Sequence, residues 1–264
     1  MIQSVLANIP TPCPWRDTVY WYDTIDSTNN RAKELAKKGA RHGTVIIAGN
    51  QTEGRGRMGR SFSSPEGMGV YLSVILRPGC TPDKLMHLTC AAGVAAMKAV
   101  QAVYQVCPDI KWANDLVLGG KKLGGILTEL IFKGNVVDYA IVGIGINCCQ
   151  RQEDFPEELQ DIATSLLIQT GKKISPAILA AALTEQLFHM DWTLFSGKEQ
   201  LMETYRRHCI TLGKEIVILQ NDTKYTATAF DIDTDGGLIA RFADGSEKVI
   251  NSGEVSVRGL CGYL

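Results

Sequence analysis

Leu123 to Phe132 (LGGILTELIF) and Val136 to Ile146 (VVDYAIVGIGI) are two apolar runs joined by Lys133-Gly134-Asn135. Two such runs across a short Gly/Asn turn read as a β-hairpin. The second run is apolar at consecutive positions, so both of its faces need cover and it belongs at the centre of a sheet. Gly143 and Gly145 lie inside that strand and no Gly-Lys-Ser/Thr follows, so the pattern is neither a dinucleotide fingerprint nor a Walker loop.

Working outward, Val19 to Tyr22, Thr44 to Ala48, Val70 to Leu76, Ile110 to Trp112 and Leu116 to Leu118 read as further short strands, with a tight turn at Gly119-Gly120. Asp26-Ser27-Thr28-Asn29 opens a helix whose apolar face is Ala32, Leu35 and Ala36; Lys37, Lys38 and Gly39 close it. Thr81-Pro82-Asp83 is expected to cap a long helix, and Ser175-Pro176 a second one reaching about Phe195; Glu199 to Cys209 forms a third. From Gly213 onward the helical period disappears. Short strands at Glu215 to Leu219, Thr223 to Asp231, Gly237 to Phe242 and Glu247 to Ile250 alternate with Asn221-Asp222, Asp235-Gly236-Gly237 and Asp244-Gly245 turns. That is a β-barrel of about fifty residues, the size of SH3-like modules. The expected fold class is α+β: a mixed or antiparallel sheet flanked by helices, followed by a small barrel. The expected division is an irregular lead-in at 1–17, a main domain at 18–211 and the barrel at 212–264.

The 264 residues are 45% hydrophobic and 21% charged, which excludes global disorder. A net charge of −1 gives no broad footprint for nucleic acid. No run of about 18 apolar residues suggests a membrane span. Pro10, Pro12 and Pro14 break the N-terminal stretch, which lacks a basic-then-apolar leader. Eight cysteines contain no Cys-x-x-Cys pair and the four histidines are scattered, so no structural metal site is expected. The cysteines read as reduced core thiols of a cytoplasmic protein.

On this neutral background Gly54-Arg55-Gly56-Arg57-Met58-Gly59-Arg60 stands out. Arginine forks match carboxylate and phosphate oxygens, and glycine lets backbone approach a ligand. The segment carries little apolar area, so it is expected to be mobile when empty and to order around a multiply charged anion. Lys111, Asn114-Asp115, Lys121-Lys122 and Asn147 sit at strand edges. Each also has a plain alternative: turn charges for the lysines, a β-turn for Asn114-Asp115, room for an aromatic ring at Gly143 and Gly145.

Taken in order, these elements resemble the biotin protein ligase family. The matching stretches are Asp26-Ser27-Thr28-Asn29, Gln51 with the glycine-arginine loop, and Lys111-Trp112-Ala113-Asn114-Asp115. Lys122-Leu123-Gly124-Gly125-Ile126-Leu127 through Glu129, Gly143-Ile144-Gly145-Ile146-Asn147 and Ser252-Gly253-Glu254-Val255 complete the set. The family usually has Pro at Ala113, Arg at Met58 and Trp at Phe62, so one loop charge is missing here. The resemblance implies a catalytic domain like that of class II aminoacyl-tRNA synthetases, in a monofunctional form without a DNA-binding domain. It implies that biotin and ATP, the latter with Mg2+, give biotinyl-5′-AMP, and that a lysine of a biotin carboxyl-carrier domain then takes the acyl group. Lys122 and Arg57 would be catalytic. Ser27, Thr28, Asn29, Gln51, Arg55, Gly56, Arg57 and Lys122 would bind biotin; Arg57, Arg60, Lys111, Asn114, Lys122 and Asn147 would bind ATP. Asp115 would either orient or deprotonate the incoming amine, or hold a turn. The rival readings are a lipoate–protein ligase and a non-catalytic biotin-binding regulator. An exposed edge strand offers a route to a homodimer.

Overall fold

The computed structural model describes residues 2–220, 223–251 and 256–259. The chain opens with helix α1 (Ile2–Asn8), strand β1 (Val19–Ile25), helix α2 (Thr28–Lys37), and strands β2 (Thr44–Gln51) and β3 (Gly69–Leu76). Helix α3 (Leu88–Tyr104) precedes β4 (Asp109–Lys111), β5 (Asp115–Leu118), β6 (Lys121–Lys133) and β7 (Val136–Asn147). Helices α4 (Leu166–Thr170), α5 (Pro176–Thr193) and α6 (Lys198–His208) follow. The C-terminal module is β8 (Glu215–Gln220), β9 (Thr223–Ile232), β10 (Leu238–Arg241), β11 (Glu247–Ile250) and β12 (Ser256–Gly259).

The main sheet runs β1-β2-β3-β7-β6-β5-β4. Only β1 and β2 are parallel; every other neighbour is antiparallel. The β6–β7 hairpin is therefore central, as the apolar run requires. The second sheet is antiparallel, in the order β11-β10-β9-β8-β12, and has the SH3-like form.

Alternation along the central strands separates two apolar layers. Val45, Ile47, Leu72, Val74, Val142, Ile144 and Ile146 face α3 and α5 in the larger core. Ile46, Ile75, Tyr139 and Ile141 face α2, with Ala32 and Ala36, in a smaller one. The same parity puts Ser73, Gly143 and Gly145 on the α2 side. Ser73 pairs with Gly143, which pairs with Leu127; Ile141 pairs with Glu129 and Gly145 with Gly125. Directly paired residues share a face, so Ser73, Gly125, Glu129, Gly143 and Gly145 form a polar, small-residue patch beside apolar Leu127 and Ile141.

The structure departs from expectation in four places. The N-terminal stretch is not irregular: α1 is helical, with Val5 and Ile9 buried against the core that includes α5. The prolines only stop that helix after Asn8. The α-helix expected at Thr81 begins at Leu88; Pro82–Leu85 is a tighter 3-10 turn, and Thr81 makes no side-chain cap bond. Helix α4 was not anticipated, although Ser165 caps Ile168 N–H at its start and Gly171 (φ 64°) ends it in left-handed geometry. Finally, β12 adds to β8 beyond the four strands expected. The Ser252-Gly253-Glu254-Val255 motif and the Asn221-Asp222 turn lie outside the described residues. The helical run Pro82–Tyr104 has the length and hydropathy to cross a bilayer, yet 67% of its most apolar window is buried inside this fold.

Candidate active site

Helix α2 begins at the sheet surface just described. Its N-cap residue Ser27 makes no side-chain cap bond. Gln51, from the end of β2, does the capping instead: its Oε1 accepts Thr28 N–H at 2.8 Å and lies 3.1 Å from Thr28 Oγ1. Gln51 Nε2 donates to Ser64 Oγ at 2.8 Å, which ties the two ends of the glycine-arginine loop. A helix N-terminus left with orphan N–H groups costs stability; here a remote side chain meets one of them, and Ser27 lines the cleft.

Asn29 is clamped from both ends. Ser73 Oγ lies 2.6 Å from Asn29 Oδ1 and 2.7 Å from Thr28 Oγ1, and Asn29 Nδ2 donates to Glu129 Oε2 at 2.9 Å. Gly143 must be glycine because a Cβ there would strike the Asn29 amide. Gly145 leaves room for a ring: a Cβ would come within 2.6 Å of Phe62.

The glycine-arginine loop folds as a narrow hairpin. Arg55 bridges Ser61 and Gln51 bridges Ser64; Phe62 N–H donates to Gly54 O and Gly56 N–H to Arg60 O. Met58, at the tip, is 71% exposed and sits at φ 54°. Arg55 reaches Asn30 Oδ1 at 3.0 Å and Glu129 Oε1 at 3.2 Å. Arg57 crosses the cleft to Asn114 Oδ1 at 3.0 Å. Burial pulls the Arg57 guanidinium below its ordinary range, while nearby Asp115 opposes that shift.

The opposite wall is the Lys111–Asp115 segment. Asn114 is held by paired contacts with Ile126, and the Trp112–Ala113 peptide is cis. Trp112 Nε1 donates to Gly236 O of the C-terminal module, Trp112 N–H to Thr211 Oγ1, and Tyr205 OH to Ala113 O. Lys122 Nζ meets Asp115 Oδ1 at 2.6 Å. Asn147 donates to Thr164 O and accepts from Gln150.

Ser27, Thr28, Asn29, Gln51, Arg55, Gly56, Arg57, Arg60, Lys111, Asn114, Lys122 and Asn147 all line one cleft of about 690 Å³. Sequence reasoning missed one wall. Lys122 N–H donates to Ile162 O and Thr164 N–H to Lys122 O, which brings Phe155, Leu159, Ile162 and Ala163 beside the lysine. No local signal in 152–164 announces that contact. Sequence reasoning also gave no role to Ser73, which is fully buried beneath the pocket.

Charge is strongly one-sided: Arg55, Arg57, Arg60, Lys111 and Lys122 line the cleft, and Asp115 is the one acid among its described lining residues. Just behind it, Glu129 is 19% exposed at its side chain. Burial raises its pKa, but Lys33 and Asn29 hydrogen bonds and Arg55 more than offset that, so the net shift is below the ordinary 4.5. Its contribution to stability is therefore complete above pH 4.5 and is lost as pH falls through the lower folded-state value. Acid melting curves should show Glu129→Gln less pH-sensitive than wild type in that window; identical slopes would contradict the assignment.

One end of the cleft thus offers neutral donors and acceptors, and the other offers cations: a place for a polar ring, a carboxylate and phosphates together. Residues 21–147 match the Biotin/lipoate A/B protein ligase family and residues 211–258 match the Biotin protein ligase C terminal domain. The Bifunctional ligase/repressor BirA of Bacillus subtilis is 37% identical over 236 residues, covering 88% of this chain and 72% of that protein. The Biotin--[acetyl-CoA-carboxylase] ligase of Mycobacterium tuberculosis is 32% identical, covering 87% of this chain and 85% of its own length. The solved biotin protein ligase of Aquifex aeolicus in complex with biotin and ATP superposes with a TM-score of 0.79 at 32% identity, over 92% of this chain and 99% of the other. With 37% identity over 72% of one relative's length and the fold shared with the solved ligase, this chain belongs to the biotin protein ligase family.

Proposed function

We propose that the chain joins biotin to ATP as biotinyl-5′-AMP and then transfers the biotinyl group to a lysine of a biotin carboxyl-carrier domain. The observation that carries this reading is the convergence of Arg57 and Lys122 between the neutral Thr28–Gln51 pocket and the Asn114–Asn147 wall. In the first step a carboxylate oxygen attacks the α-phosphorus and pyrophosphate leaves. Two anions must approach, so cations fixed at the junction lower the barrier. In the second step the carrier amine attacks the acyl carbon, AMP leaves and the amine loses a proton. Asp115 holds Lys122 in place for the first step and, as a carboxylate lining the cleft, would orient the amine in the second.

The donor set fits Mg2+ arriving with ATP as part of the substrate. With Asp115 as the one acid among the described lining residues, the phosphates and water would supply the ion's oxygen ligands, and the ion would neutralise phosphate charge. The pocket's hydrogen-bonding rim can exchange partners with the ureido ring of biotin, which the apolar dithiolane of lipoate cannot offer. Incubation with biotin, MgATP and a carrier domain of acetyl-CoA carboxylase should add one biotinyl group to one lysine, read by mass spectrometry. Labelling with lipoate but not biotin, or no labelling at all, would overturn the reading.

A further inference from the structure

Glu129 breaks the pattern of its own strand. Its same-face neighbour Ile131 and its paired residue Ile141 belong to the apolar layer under α2, and Tyr139 lies beside them. An apolar residue would serve the fold at 129; a carboxylate there is a departure of the kind that marks a functional site. Its partners are Lys33 Nζ at 2.7 Å, Asn29 Nδ2 at 2.9 Å and Arg55 Nη1 at 3.2 Å. One of these belongs to the loop and another to the pocket.

Resting on the ligase reading above, we propose that Glu129 is a positioning residue that ties the glycine-arginine loop and the biotin pocket to the rigid sheet through one carboxylate. Through Arg55 it fixes the root of the loop. Through Asn29 Nδ2, which also reaches Leu127 O at 3.4 Å, it supplies the shorter of two bonds that set which end of that amide faces Ser73, and so holds Thr28 and Asn29 in register. Ordering the loop and forming the pocket then become one event, and a loosened root weakens both. A carboxamide cannot replace the carboxylate: it has one acceptor oxygen, and its NH2 would face the donors of Asn29, Lys33 or Arg55.

The test measures biotin KM and kcat from pyrophosphate release, together with escape of adenylate into solution. Glu129→Gln should raise biotin KM about tenfold with little change in kcat, and should increase escape. Arg55→Ala should act in the same direction, and the double variant should be no worse than the worse single one. Lys33→Ala removes the partner outside loop and pocket and should leave KM unaltered. Additive effects in the double variant, wild-type KM and escape in Glu129→Gln, or an equal KM rise in Lys33→Ala would each overturn the proposal. Should Glu129→Gln not fold, Glu129→Asp, which shortens the reach but keeps the charge, is read the same way. Absence of pyrophosphate release from the wild-type chain would instead sink the ligase reading itself.

Discussion

Replacing Lys122 with alanine is expected to lower biotin-dependent pyrophosphate release by about 10²–10³-fold, or about 2.7–4 kcal/mol in barrier height. The lysine is placed by three independent contacts. Its ammonium is fixed on Asp115 at 2.6 Å, and its backbone is held to Ile162 and Thr164 on either side. A preorganised cation needs no reorganisation when carboxylate and α-phosphate charge merge in the transition state. The alanine variant also leaves Asp115, 17% exposed at its side chain, without that cation and facing two substrate anions. Repulsion therefore adds to the lost attraction. Biotin affinity should change less than turnover. A variant releasing pyrophosphate at the wild-type rate would show that charge neutralisation comes from elsewhere.

The second large effect concerns retention. Arg57 spans from the loop to Asn114 on the opposite wall, and glycine at that position removes the fork and the crossing contact together. Adenylate formation should persist while biotinyl-5′-AMP leaves about 10–100-fold faster, the loss expected for one or more charge-assisted hydrogen bonds. The released anhydride would then acylate lysines on bystander protein. Incubating Arg57→Gly with biotin, MgATP and an unrelated lysine-rich protein, followed by a biotin blot, reads this directly. Labelling confined to the carrier lysine would mean that the loop does not retain the intermediate. Met58, 71% exposed at the hairpin tip, carries no charge, so retention is expected to rest on the arginines of the loop.

Legibility along the chain was uneven. The hairpin Leu123 to Ile146 was readable because a strand covered on both faces must be apolar throughout, and Gly134-Asn135 marked its turn. The ordered motifs named residues that do line one cleft, since anion chemistry demands arginine, lysine and glycine at close spacing. Illegible were the partners. That Asn29 answers to Ser73 and Glu129, roughly 45 and 100 positions away, depends on which residues the β3–β7 and β6–β7 registers place side by side. The wall at Phe155 to Ala163 is an irregular segment recruited by backbone bonds to Lys122, and backbone bonds carry no side-chain signature. Helix α1 was obscured by the prolines behind it, since its stability comes from burying Val5 and Ile9 in tertiary contact.

By itself the sequence determined the α+β class, the central hairpin, the change of character near residue 212 and the inventory of charged and small residues that line the cleft. Tertiary structure alone decided that these residues share one face of one sheet, that Gln51 rather than Ser27 caps α2, and that a single carboxylate joins loop to pocket. The physical reason is that periodicity and capping act within a few residues of chain, whereas register acts between strands. A register is set only when every strand has found its neighbour.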